Sequence, residues 1–354
     1  MRKIHFVLLL TIASNISFGQ NKIDAENLVN KGIGFHDKGE YETAISKYDS
    51  ALQLDKDNLL ALAEKAYTLF SLQKYDESIK CCQRAIEIHP KEKTLMSVYV
   101  TYGNVFDEQK LTDKAIKTFD AGIKQFPDYY QLYFNKGISL SRIQKNEDAI
   151  LCFQKAVSLN PAHASSHNAI ARLSNISNQR IPAILAYGRF LSIEPKSNRA
   201  KENLLALLEL MRRNVEQTGE KVTINLSADD VKGINSKRKP KENSFASTDL
   251  ILTMDASMDF DEKNKGKSDV EQFIRKLNTL CSSLKESRAD NSGFYWSYYA
   301  PYFIALKDEG LIETFAYISF ASSESQDVSS WLNSHKTEID KFFTWSKAFQ
   351  WQAN

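Results

Sequence analysis

Between about residues 25 and 195, apolar and small side chains return at helical spacing in blocks separated by short polar turns, which predicts helix throughout this stretch. The stretch also repeats itself. Ala44, Ser78, Ala115, Ala149 and Ala183 each open a helix-like phrase, at separations of 34, 37, 34 and 34 residues. Twelve positions before each stands a second small residue: Gly32, Ala66, Gly103, Gly137 and Ala171. Four positions after the first set come Tyr48, Cys82, Phe119, Phe153 and Tyr187, and Pro90, Pro127, Pro161 and Pro195 close four of the five units.

This spacing suits a helical hairpin whose two helices approach closely. Each presents a small side chain at the crossing, an aromatic fills the gap beside it, and proline stops the second helix. Lys31-Gly32 with Phe35, Gly39-Glu40-Tyr41, and Ala44-Ile45 followed by Tyr48 and Ala51 resemble the tetratricopeptide repeat, and the pattern recurs five times in phase. The resemblance implies a mainly α fold, a tetratricopeptide-repeat α-solenoid of five helical hairpins. Lys56 replaces the first terminal proline, Cys82 the second aromatic and Phe190 a small residue of the fifth unit; the longer second spacing falls around Lys91 to Thr94, where a loop absorbs it. After Pro195, Leu204, Leu207, Leu208 and Met211 lie on one stripe, as expected of a capping helix over the last repeat.

From about Lys221 the period is lost. Val222, Ile224 and Leu226 alternate with Thr223, Asn225 and Ser227, a short strand signal, and Leu250-Ile251-Leu252 reads as a second strand. The polar stretch 227–247 between them reads as a linker or long loop. Ser268 and Glu271 have capping-box spacing, opening a helix with Val270, Phe273, Ile274, Leu277, Cys281 and Leu284 on one face. An aromatic-dense segment follows: Phe294, Tyr295, Trp296, Tyr298, Tyr299, Tyr302 and Phe303, then Trp331, Phe342, Phe343, Trp345, Phe349 and Trp351. The expected organisation is a solenoid with its cap over 20–215, a linker with short strands over 216–268 and a small, mostly helical domain over 269–354. The phrases Trp331-Leu332 and Phe342-Phe343-Thr344-Trp345 resemble C-terminal regions that follow such repeats in exported proteins of the Bacteroidota.

The first 19 residues change the picture of location. Arg2-Lys3, an apolar run from Phe6 to Ile16, and small Ser17 and Gly19 before Gln20 have the form of a secretory signal, which makes the expected protein exported, periplasmic or secreted. Removing Arg2 and Lys3 from 46 basic residues leaves 44 against 44 acidic ones, so no global field draws nucleic acid or an anionic membrane. The basic run Lys237 to Lys241 therefore reads as solvated loop. Later in the chain no apolar stretch is long enough to span a bilayer. With 42% apolar side chains over 354 residues there is ample material for a core and length for two domains. Cys81, Cys82, Cys152 and Cys281 lack redox or zinc spacing and read as small apolar helix residues.

Catalytic, cofactor and metal motifs do not emerge. His163 and His167 are four apart but have no third ligand, and His163 is expected at a helix start. Asp255, Asp259, Asp261 and Glu262 fail the calcium-loop pattern at Lys263 and Asn264 and read as a solvated acidic turn. Gly32-Ile33-Gly34 lacks the rest of a nucleotide fingerprint. The aromatics at 294–303 suit either a core or a platform for sugars or extended peptides; their distribution all around the expected helix favours the core.

The resemblance locates a binding surface instead. In such repeats the first helix of each unit lines a concave groove with its second, fifth, ninth, twelfth and thirteenth positions. With units starting at Ala25, Leu59, Met96, Tyr130 and Ala164, these positions include His36, Asp37, Tyr67, Phe70, Asn104, Asp107, Glu108, Phe134, Arg142, Asn168, Arg172 and Asn175. Amides among them can pair a peptide backbone while the aromatics anchor side chains. Val29 and Ile33 stand where cochaperones of this family carry part of their carboxylate clamp. The expected function is an exported protein–protein interaction scaffold without enzymatic activity. The alternatives are an enzyme or carbohydrate-binding module in the C-terminal domain, with the repeats positioning it, and a self-associating envelope stalk.

Overall fold

The computed structural model describes residues 20–219, 221–225 and 242–352, and the chain divides into two compact units, Met1–Cys152 and Phe153–Asn354. The expected N-terminal signal, Leu226 and the basic run 237–241 lie outside the described residues.

In the first unit, helices α1 (20–36), α2 (Tyr41–Leu54), α3 (Leu59–Ser71), α4 (Tyr75–Ile88), α5 (Leu95–Glu108), α6 (Thr112–Gln125) and α7 (Tyr130–Arg142) follow one another, and α8 (Asn146–Leu159) begins. From α2 to α7 each helix packs on the next, and α3 also packs on α5 and α5 on α7. The first helices of neighbouring hairpins thus lie closer together than the second helices do, which turns the odd-numbered face inward.

The crossings are as tight as the repeated small residues imply. A Cβ atom added to Gly32 would overlap the Tyr48 ring, and one added to Gly103 would overlap Phe119. Ala44, Ala66, Cys82 and Ala115 are fully buried, as are Tyr48 and Phe119. Ser78 stands at an alanine position, and its hydroxyl is satisfied by donating to the Ala66 carbonyl across the hairpin at 2.7 Å.

One periodic feature is written in the backbone alone. Gly39, Gln73, Lys110, Gln144 and Asn178 have φ of 79°, 60°, 64°, 61° and 57°, all left-handed and all in the turn within a hairpin. Around Gln73, Lys74 N–H donates to the Leu69 carbonyl and Gln73 N–H to that of Phe70, and the same pair of bonds recurs at the other four turns. This Schellman closure consumes carbonyls that the last helical turn would leave bare.

The second unit contains α9 (Ala164–Ile176), α10 (Arg180–Ile193), α11 (Ala200–Arg212) and the strands β1 (Val215–Thr218) and β2 (Lys221–Ile224), which pair antiparallel with Val215 opposite Ile224. Helices then run over Ala246–Ser257, Asp269–Ser287, Ala300–Asp308, Ile312–Ser319, Gln326–Ser334 and Lys336–Ala348. The reading of Leu250-Ile251-Leu252 as a strand is corrected: Thr248, Leu252, Asp255 and Ala256 are buried at helical spacing, and the three apolar residues sit inside a helix. Ser268 and Glu271 do form a capping box at the start of Asp269–Ser287. The fold is mainly α, with only two short strands among the described residues.

At the centre of this unit is α10. Every residue from Arg180 to Ser192 is buried, as befits a sequence that is apolar on all sides. It packs on α9, α11, the helix Ala246–Ser257 and the helix Ile312–Ser319. A Cβ on Gly188 would lie 3.0 Å from Phe303 and 3.3 Å from Phe315. Its two arginines are accommodated differently. Arg180 bonds the Leu210 carbonyl at 2.7 Å and the Asp249 carboxylate at 2.6 Å. Arg189 donates to Ser346 and the Pro161 carbonyl, and lies about 5 Å from the rings of Tyr302 and Trp351.

Candidate peptide-binding groove

The odd-numbered helices of the first unit end in Schellman turns whose N–H groups cap the carbonyls of His36, Phe70, Asp107 and Ser141. The carbonyl at the twelfth position of each of these first helices is therefore satisfied by its own turn. On α1 and α3, His36 Nδ1 lies 2.8 Å from Thr68 Oγ1, and its ring is 4.9 Å from that of Tyr67, which is 47% exposed. Asp37 is exposed beside them, and its charge adds to burial in raising the carboxyl pKa of Glu64.

Farther along, Phe70, Asn104, Asp107, Glu108 and Arg142 surround one pocket of about 140 Å³, together with Asn135 and Ile138. Arg142 bridges two carboxylates on the neighbouring α5, through Nη1 to Asp107 and through Nη2 to Glu108 at 3.0 Å. Asp107 is only 5% exposed and its Oδ1 has no hydrogen-bond partner, whereas Glu108 and Arg142 are open to solvent. Phe134 is half-buried on α7 and does not line this pocket. Ile138 stands at an inward ninth position; Asn135, at a sixth position, was missed because α7 presents a broader face than five fixed positions describe.

In the second unit the three expected groove residues separate. Asn168 is buried, Arg172 is exposed, and Asn175 accepts from Arg213 at 2.7 Å. Arg213, which follows α11, also donates to Asn178 at 2.9 Å; a residue so distant in sequence carries no groove signal of its own.

Other candidates resolve into packing. Tyr295, Trp296, Tyr298, Tyr299, Tyr302 and Phe303 are each at most 2% exposed, so the aromatic segment is core. His163 lies just before α9, 2.8 Å from Ser166, while His167 is enclosed against Tyr299 and Pro161. The reading of Asp255 and Asp259 as a solvated turn is corrected. Both are buried, Asp255 paired with Arg275 and Asp259 with Arg275 and Lys276, because burying these carboxylates requires neighbouring cations. The thiols of Cys82 and Cys281 are pushed up by burial and that of Cys152 is raised to about 11, which keeps all three protonated. Among the described residues, no helix is long and apolar enough to cross a membrane, and no three His, Cys, Asp or Glu gather as metal ligands.

Residues 28–62, 60–92 and 130–163 each match a family model for the tetratricopeptide repeat. The chain is 29% identical over 154 residues to the STIP1 homolog protein of Dictyostelium discoideum, covering 35% of this chain and 27% of that protein. It is 25% identical over 201 residues to the human protein O-mannosyl-transferase TMTC1, covering 56% of this chain and 22% of that one. The matches thus span about a quarter of the length of these relatives. Among solved structures, one described as the functional characterization of Pseudomonas aeruginosa pilF is 16% identical, covers 72% of this chain and 98% of its own, and has a TM-score of 0.49. Five helical hairpins in phase with closed crossings give this chain a fold like that of tetratricopeptide repeats, and three of its segments match models of that repeat.

Proposed function

We propose that the chain is an exported interaction scaffold that holds a peptide or protein segment along the odd-numbered helices of its first unit. Tetratricopeptide-repeat proteins are generally protein-interaction scaffolds. The observation that carries the reading is the meeting of Phe70, Asn104, Asp107, Glu108 and Arg142, from three successive first helices, around one pocket. An apolar wall, amides and carboxylates in one concavity suit a polypeptide, whose backbone and side chains need all three. Export rests on the N-terminal signal pattern. The role is binding, without catalysis or cofactor. The rival sugar platform at 294–303 is disfavoured because those rings are spent on the core.

The test is a pull-down from envelope extract with the chain and with a variant carrying Tyr67→Ala, Phe70→Ala and Phe134→Ala. Partners retained by the chain and lost by the variant support the groove; equal capture by both ends this reading.

A further inference from the structure

The pocket at the end of α5 has an uneven charge balance. Asp107 and Glu108 share the single guanidinium of Arg142, leaving one negative charge in excess. Asp107 Oδ2 and one Glu108 oxygen hold Arg142, while Asp107 Oδ1, in a residue 5% exposed, has no hydrogen-bond partner. A buried carboxylate short of donors is costly, and a cation brought beside it offsets the uncompensated charge. The rest of the pocket fits the same guest. Phe70 and Ile138 give apolar surface for methylenes, and Asn104 stands beside them as an amide for the guest's main chain. The wider face is acidic as well, since Glu26 and Asp37 occupy inward positions of α1, and burial together with the nearby Asp37 charge raises the Glu64 carboxyl.

We infer that the groove of the first unit selects an extended segment bearing a lysine or arginine, whose cationic head enters between Asp107, Glu108 and Arg142 and pairs with the two carboxylates. This rests on the groove reading above and adds the chemistry of the partner. Arg142 stays in place and orients both carboxylates; the incoming cation completes the balance. Charge complementarity of this kind specifies register along a groove as well as attraction to it.

The experiment passes the full chain over arrays of randomised nonapeptides in which one position is fixed as lysine, arginine, norleucine or glutamate. The expected result is a preference of about tenfold or more for lysine or arginine over norleucine at one position, the scale of a buried charge-assisted bond. Asp107→Asn and Glu108→Gln should each abolish the preference. Glu108 is exposed, so its substitution leaves the fold intact should Asp107→Asn prove unstable. A preference that survives both variants overturns the pocket assignment. Peptides captured by the chain but lost by the Tyr67, Phe70 and Phe134 triple variant, with lysine and norleucine equivalent, overturn the inference and leave the groove standing. If the chain captures no more peptide than the triple variant, the groove reading falls, and the inference with it.

Discussion

His167 Nδ1 lies 2.7 Å from the hydroxyl of Tyr299, and its Nε2 lies 3.0 Å from the Pro161 carbonyl. A carbonyl can only accept, so Nε2 carries the proton and Nδ1 accepts from Tyr299. Burial, followed by the nearby Arg189 charge, holds this imidazole well below its ordinary range; burial and Arg199 lower His163 as well. The unfolded chain takes up protons at these rings below about pH 6.5 more readily than the folded chain, so stability should fall as pH drops through that value. The urea midpoint should decrease between about pH 7 and pH 5, and His167→Gln should remove part of that slope. Identical slopes for the two proteins would take His167 out of the account.

Gly103 faces the Phe119 ring as Gly32 faces Tyr48. Gly103→Ala should destabilise the chain by about 1–3 kcal/mol, because the added methyl must push an aromatic out of a filled core. The same alanine in an exposed helix would stabilise by about 1 kcal/mol, so the sign of the effect reports the crossing. Combining it with Phe119→Leu should recover part of the loss in chemical denaturation; strictly additive losses would contradict the contact.

The Schellman turns place glutamine, lysine and asparagine where Gly39 serves the first hairpin. A side chain in left-handed backbone costs roughly 1 kcal/mol, which glycine avoids at some cost in unfolded-state entropy. Lys110→Gly and Gln144→Gly should therefore leave the thermal midpoint unchanged or raise it, whereas Gly39→Ala should lower it by an amount equivalent to about 1 kcal/mol. A loss at Lys110 matching that at Gly39 would count against the turn as described.

Much of the first unit was legible because close helix crossing restricts residue type: small residues recur at fixed intervals, and tyrosine or phenylalanine sits opposite them. The turns were not, since the αL position tolerates Gln73, Lys110 and Gln144 and leaves no compositional trace. In the second unit Leu250-Ile251-Leu252 misled because a short apolar run has no period of its own, and the helix becomes evident only through Thr248 and Ala256 on either side. The burial of α10 is foreshadowed by Ile-Pro-Ala-Ile-Leu-Ala, but Arg180 and Arg189 disguise it, because their partners, Asp249 for one and Ser346, the Pro161 carbonyl and two rings for the other, lie far away in sequence. For the groove, position counting brought five residues to one pocket. It could not reveal that Arg142 spans Asp107 and Glu108, because that pairing depends on how α5 and α7 lie side by side.

Arg180 is 3% exposed, and its contact with Asp249 ties α10 to the helix Ala246–Ser257. Thr253 donates to the Asp249 carbonyl and also receives the guanidinium at 2.6 Å, so three groups converge on one charge. Removing the carboxylate alone strands a buried cation, whereas removing both charges leaves an apolar site that methionine can fill. Asp249→Ala is thus expected to cost about 3 kcal/mol, toward the lower end for a broken buried pair because Asp249 keeps some access to water. Arg180→Met combined with Asp249→Leu should cost less than Asp249→Ala alone. Equilibrium denaturation of the three proteins decides the matter: a double variant weaker than the single one would mean that this ion pair contributes net stability, and that α10 depends on its arginine beyond simple packing.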